Sequence, residues 1–246
     1  MTIETRRIEY REGGVTLEGY LAVDSATTKP RPAVAIAHAF GGCGEHECER
    51  ARRLAGMGYV GFALDVYGKG VLGRDVAESM SLMTPLLNDR SLLLRRMLAG
   101  IDALRAQPEV DGARVAAIGY CFGGLCVLDL ARSGADVRGV ASFHGMFDPN
   151  PSVAEITAKI LVLHGWSDPM VLPQDVVNLG VELTNAKADW QIHGYGGTLH
   201  GFTQPTSNDH MRGVVYDPRA DRRSWQALGN FLDEVFACEG QPGAVS

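Results

Sequence analysis

Val115-Ala116-Ala117-Ile118-Gly119-Tyr120-Cys121-Phe122-Gly123-Gly124-Leu125-Cys126-Val127-Leu128 runs from a short apolar stretch, through a glycine-flanked cysteine, into a segment able to form a helix. Three chemistries fit such a turn: a loop that cradles phosphate, a tight turn that presents a nucleophile, or a small residue convenient for packing. Spacing separates them. A dinucleotide loop needs G-x-G-x-x-G in the first strand-to-helix turn, with an acidic residue about 20 positions further on. Neither residues 119–124 nor the glycines at 41–44 have that spacing. Gly119 and Gly123 flank Cys121 in the pattern G-x-nucleophile-x-G of a nucleophile elbow, in which small residues let a strained strand-to-helix turn pack closely.

The strand–turn–helix pattern extends in both directions. Residues 7–10 and 15–23 flank Glu12-Gly13-Gly14 and have the branched, alternating character of a hairpin. Residues 33–37 are continuously apolar, 47–57 form an amphipathic helical period stopped at Gly58, and 60–64 are apolar again, which reads as a β-α-β unit. From Ser91, Leu94, Leu98, Ile101 and Leu104 recur at steps of three or four, the period of a helix resting on a sheet, before Pro108 and Gly112. A strand over 114–118 follows. Apolar runs at 137–143, 160–163 and 190–192 alternate with helix-capable stretches, notably 173–185, and 222–236 closes the chain. The pattern predicts an α/β fold, a mostly parallel central sheet with helices on both faces. One domain over 1–246 is expected, with roughly 66–90 covering the pocket and 239–246 as a loose tail.

Composition removes several functions. With 23 Lys and Arg against 29 Asp and Glu, a net charge of −6, the chain lacks a phosphate-neutralising surface, so no nucleic-acid partner is expected. The charged N-terminus has no apolar core of about 7–15 residues as a secretory signal would, and no apolar run approaches the roughly 20 residues of a bilayer span. A soluble protein with no membrane partner follows. Five cysteines (43, 48, 121, 126 and 238), an odd number in a chain large enough to fold without staples, point to free thiols and a cytoplasmic location. Gly44-Glu45-His46-Glu47-Cys48-Glu49 offers metal-ligand types, but the acidic first turn of a helix accounts for it, and no metal is expected.

Ligands of such sheets bind beyond the carboxyl ends of the strands, where this chain places His38-Ala39-Phe40, Asp65-Val66-Tyr67, His144, Trp166-Ser167-Asp168 and His200-Gly201-Phe202. An acyl-transfer site in this architecture takes its nucleophile, acid and histidine in that chain order. Cys121, Asp168 and His200 obey it. The helix after Cys121 adds the positive end of its dipole, which favours thiolate. The backbone N–H of Phe122 is one expected oxyanion donor, and Ala39 supplies the second, or Phe40 if the register moves by one. His38, Tyr67, His144, Trp166 and Phe202 are candidates for the pocket wall, and His38 also for tuning the thiol.

With G-Y-C-F-G-G around Cys121, H-G-W-S-D-P around Asp168 and G-G-T-L-H-G-F around His200, the chain resembles the dienelactone hydrolase family of α/β hydrolases over roughly 200 residues. The resemblance implies a cysteine nucleophile, hydrolysis of a small-molecule ester or lactone, and neither metal nor organic cofactor. Members carry a glutamate after the third strand that helps ionise the thiol, and an arginine four positions beyond the histidine that grips a substrate carboxylate. His38 and Gln204 stand at the matching positions here, so Gln204 joins the substrate-binding candidates and neutral substrates are expected to rival anionic ones. A thioesterase or small-ester carboxylesterase is the alternative enzyme. Outside catalysis, the alternative is a ligand-binding protein that keeps the pocket and releases no acyl group.

Overall fold

The computed structural model describes residues 2–26, 29–150 and 155–237. The chain opens with an antiparallel hairpin, β1 (Ile3–Glu12) and β2 (Val15–Asp24), turned at Gly13 with φ 56°. It continues through β3 (Arg31–Ala37), α1 (Glu45–Gly56), β4 (Val60–Leu64), α2 (Val76–Asn88), α3 (Arg90–Arg105), β5 (Val110–Tyr120), α4 (Phe122–Arg132) and β6 (Gly139–Phe143). Then come β7 (Lys159–Gly165), α5 (Pro173–Asn185), β8 (Trp190–Tyr195), the short pair β9 (Asn208–Asp209) and β10 (Val214–Val215), and α6 (Pro218–Phe236).

Among the described residues, eight strands form one sheet in the order β1-β2-β4-β3-β5-β6-β7-β8, antiparallel from β1 to β4 and parallel from β4 to β8. Side-chain alternation explains why its inner strands read as unbroken apolar runs. Ala33, Ala35, Val115 and Ala117 share a core with Leu93, Met97 and Ile101 of α3. Val34, Ile36, Ala116 and Ile118 share the opposite one with Leu54 of α1 and Leu228 and Leu232 of α6. A strand buried on both faces has no polar face to show, and helices must cover it twice.

Helix α5 has the bounds expected from its sequence. Strand β4 also matches its apolar run, β6 starts two residues later than expected, and other elements reach further than their periodicity. Helix α6 starts at Pro218, because Asp217 caps it by accepting from the N–H groups of Arg219 and Ala220 at 2.8 and 3.1 Å. Strand β5 begins at Val110, ahead of the expected 114. The segment with no readable period contains α2, capped by Asp75, whose carboxylate accepts the N–H of Glu78 at 2.8 Å. Pro85 sits inside this helix, three residues from its end, where Asp89 closes α2 and caps α3. Among the described residues no helix is long and apolar enough to cross a membrane, and no group of three or more His, Cys, Asp or Glu is placed to hold a metal ion. Cys43, Cys48, Cys121 and Cys126 are free thiols; Cys238 and the tail at 239–246 lie outside the described residues.

Candidate active site

Cys121 occupies the junction of β5 and α4 with φ 54° and ψ −114°, a conformation that costs a non-glycine residue on the order of 1–3 kcal/mol. The surroundings hold it there. Its N–H donates to the Phe143 carbonyl at 3.0 Å, and its own carbonyl accepts the N–H of Gly124 at 2.9 Å. The flanking glycines are required by contact. A Cβ on Gly119 would lie 1.9 Å from the Gly123 carbonyl oxygen, and one on Gly123 would lie 2.1 Å from that of Ala37. The elbow therefore locks β5, α4 and the end of β3 together.

The parallel strands bring Asp168, just beyond β7, and His200, beyond β8, to the same sheet edge as Cys121. His200 is tied by its N–H to the Gly213 carbonyl at 2.9 Å and by its carbonyl to the N–H of Val215 at 3.0 Å. Its Nδ1 lies 2.7 Å from Asp168 Oδ2, and both side chains are buried. The other carboxylate oxygen of Asp168 accepts the N–H of Met170 at 2.8 Å. A carboxylate can only accept there, so Nδ1 carries a proton, and the buried Nε2 is the ring nitrogen left for Cys121.

Electrostatics distinguish Cys121 from the other described thiols. Burial pushes Cys43, Cys48 and Cys126 up. Burial also opposes ionisation of Cys121, but the charge and hydrogen bonding of His200, with the amides of Phe122 and Phe40, outweigh it and bring the thiol below its ordinary range. His200 answers in the opposite sense: desolvation is overcome by the Cys121 thiolate and Asp168, raising the imidazole to about 10. A thiol with a depressed pKa keeps its charge as pH falls below the usual value of about 8.5. Alkylation of Cys121 by iodoacetamide is accordingly expected to rise much less between pH 6.5 and 8.5 than the roughly fiftyfold gain of an ordinary thiol over the same interval. A steep rise, read by peptide mass mapping, would contradict the ion pair.

The two amides that reach the sulfur belong to Phe122 and Phe40. Ala39 does not share that position, because its N–H donates to Glu47 Oε1 at 3.3 Å. Consecutive amides in this loop point to opposite sides, so the one-residue register decides which faces the sulfur. His38 lies beneath: Nδ1 donates to the Ala39 carbonyl at 2.7 Å and Nε2 accepts the N–H of Val66 at 3.3 Å, so both ring nitrogens are engaged by backbone.

A cavity of about 980 Å³ opens over Cys121 and His200, with an apolar wall that includes Phe40, Met80, Met83, Met146, Phe147 and Met170. None of the six residues expected in its wall borders it. Tyr67 stacks on Phe122 and donates its hydroxyl to the Phe40 carbonyl at 2.9 Å, and His38 packs on Tyr67 at 4.6 Å between ring centroids. His144 packs against His200, with Nε2 2.8 Å from Thr203 Oγ1, and Phe202 is fully buried against His144 and Tyr195. Trp166 is 47% exposed and lines a separate apolar groove between α5 and β8. Gln204 turns its amide to Thr206 Oγ1 at 3.2 Å. Position after a strand brings a residue to the right edge; side-chain direction decides whether it meets the cavity. The methionines of α2 and those at 146 and 170 had no motif to mark them, only their places in the covering segment and in loops after strands.

The chain is similar in sequence and fold to known proteins of one family. The sequence model of the dienelactone hydrolase family matches residues 17–236. The solved structure of m3DLH is 38% identical, with a TM-score of 0.92 covering 96% of this chain and all of that one. A dienelactone hydrolase-like promiscuous phosphotriesterase from metagenomic libraries is 37% identical, with the same TM-score and coverage. The uncharacterized protein K02A2.1 of Caenorhabditis elegans is 38% identical over 156 residues, 61% of this chain and 99% of that protein. Matched from β2 to the end of α6 and superimposing on these structures over nearly its whole length, the chain belongs to the dienelactone hydrolase family and is a hydrolase acting on esters or lactones.

Proposed function

We propose that the protein hydrolyses uncharged carboxylic esters or lactones through a Cys121-His200-Asp168 triad. One observation carries the reading: Cys121 stands at the elbow beside a His200 whose Nδ1 is held 2.7 Å from Asp168. The thiolate attacks the acyl carbon and forms a C–S bond, while the carbonyl electron pair moves to oxygen and is received by the N–H groups of Phe40 and Phe122. Collapse breaks the C–O bond, and the departing alkoxide takes the proton from His200 Nε2. The neutral imidazole then removes a proton from water as that water attacks the thioester. Expulsion of the thiolate yields the acid and restores the pair. Asp168 fixes the tautomer throughout.

Mixing the enzyme with a p-nitrophenyl ester is expected to give a burst of nitrophenol and an acyl mass on the peptide containing Cys121. Steady turnover that survives complete alkylation of Cys121 would overturn the mechanism. A ligand-binding protein would show neither burst nor turnover, and faster release from thioesters than from matched oxygen esters would make it a thioesterase.

The preference for uncharged substrates rests on the cavity wall. Among the described residues, Asp148, Asp175, Asp209 and Glu182, the last paired with Arg132 at 2.7 Å, border it against Arg212, itself 3.9 Å from Asp209, and His200, whose charge is met by Cys121 and Asp168. A substrate carboxylate would enter an excess of negative charge. kcat/KM for a methyl ester is expected to exceed that of the corresponding free acid by about tenfold, close to 1.4 kcal/mol. A preference for the acid would remove this part of the proposal. The similarity to a promiscuous phosphotriesterase supports a second reaction in the same cavity, favoured by its size and apolar wall. Attack of the thiolate on phosphorus would release an aryloxide and leave phosphorylated Cys121. Multiple turnovers of a neutral aryl phosphotriester support it, and stoichiometric inactivation rejects it.

A further inference from the structure

The loop between β3 and α1 carries the Phe40 amide, and the hydrogen bonds around that amide form a chain. In a trans peptide the carbonyl and the N–H of the same plane point in opposite directions. Fixing the Ala39 carbonyl therefore aims the Phe40 N–H. Two donors converge on that carbonyl: His38 Nδ1 at 2.7 Å and the N–H of Gly42 at 3.1 Å. His38 is fixed in turn, because the Val66 N–H donates to Nε2 at 3.3 Å and so requires the tautomer with the proton on Nδ1. The neighbouring peptide is tied separately. Glu47, buried on α1, accepts from Ala39 N–H at 3.3 Å with one oxygen and from Gly44 N–H at 3.0 Å with the other, spanning the loop. On the far side the Tyr67 hydroxyl donates to the Phe40 carbonyl.

We infer that His38 is a positioning residue for the oxyanion site: its Nδ1–H aims and polarises the Ala39–Phe40 peptide, and Glu47 holds the peptide before it. The inference rests on the proposed thiolate mechanism. A hydrogen bond to the carbonyl of an amide strengthens donation from its N–H, so His38 serves direction and strength together. This role explains why a histidine with no open ring nitrogen stands at the end of β3, directly behind the elbow. It also assigns work to a buried carboxylate that touches neither thiol nor imidazole by any hydrogen bond.

The test compares His38→Leu with His38→Asn, whose side-chain amide presents an N–H near the place of Nδ1. On a neutral chromogenic ester, His38→Leu is expected to lower kcat by about tenfold to a hundredfold with KM nearly unchanged, below the 10²–10³ lost when an oxyanion donor is removed outright. His38→Asn should recover most of the loss. Alkylation of Cys121 by iodoacetamide develops no oxyanion, so its rate on the plateau of each variant's pH profile, where the thiol is fully ionised, should stay within about twofold of wild type. Affinity for an aldehyde that forms a tetrahedral adduct should fall with kcat/KM. Glu47→Gln, which retains one acceptor oxygen, should show the same pattern more weakly and carries the test if His38→Leu does not fold. Normal kcat in His38→Leu or in Glu47→Gln, or alkylation falling in step with kcat, would overturn the inference. Cys121→Ala run in parallel separates the two claims: turnover in that variant would sink the thiolate mechanism itself, whereas a dead Cys121→Ala beside a fully active His38→Leu sinks only the role of His38.

Discussion

Cys121→Ala is expected to lower kcat for a neutral aryl ester by about 10⁴-fold or more while the protein stays folded. The size follows from what alanine removes. Without sulfur no acyl-enzyme forms, and what is left is binding plus two amide donors acting on direct attack by water. The remaining groups do not compensate, because residues acting as one unit lose nearly everything when one member goes. Cys43, Cys48 and Cys126 offer no substitute: burial pushes each thiol up, and none of them borders the cavity. Two measurements check it, the burst amplitude against wild type and intact mass after mixing. Loss of the burst with unchanged thermal unfolding supports the assignment. Residual kcat above about one hundredth of wild type would place the nucleophile elsewhere.

The second large effect is expected at His200. His200→Ala should lower kcat by about 10²–10⁴ through loss of proton transfer. It should also return Cys121 to the behaviour of an ordinary buried thiol, since the His200 charge and hydrogen bond are what bring it down against desolvation. The sign is fixed: with the folded pKa raised, the thiolate fraction at neutral pH falls, and alkylation becomes both slower and steeply dependent on pH. Asp168→Asn tests the tautomer. An asparagine amide can donate to Nδ1, which places the ring proton on Nε2 and turns it toward the sulfur in the wrong protonation state. Its kcat should fall by about 10²–10⁴ with little change in KM. Rate and alkylation profile are separate readouts, so a merely unfolded variant is recognised by loss of both together with its melting transition. Wild-type turnover in folded His200→Ala would exclude the imidazole from the reaction.

Much of this protein was legible before its structure because the relevant signals are local or ordered along the chain. The elbow needs small residues at two fixed offsets from one side chain, and Gly119 and Gly123 are there because carbonyl oxygens lie within about 2 Å of where a Cβ would be. Apolar runs 33–37 and 115–118 mark strands covered on both faces, and chain order brings Cys121, Asp168 and His200 to one edge once the sheet is parallel. Helix α2 was hidden by Pro85 and by a weak period, although Asp75 and Glu78 form a readable cap. The pocket wall was decided by tertiary structure alone. His144, Trp166, Phe202 and Gln204 all follow strands, yet packing turns each away from the cavity, and methionines from separate segments fill the wall instead. Which amide faces the sulfur depended on it most finely. Ala39 and Phe40 are adjacent in sequence, but the N–H groups of successive peptides here face opposite ways, and which one meets the sulfur was set by where Glu47 and His38, brought in from α1 and the end of β3, place their hydrogen bonds.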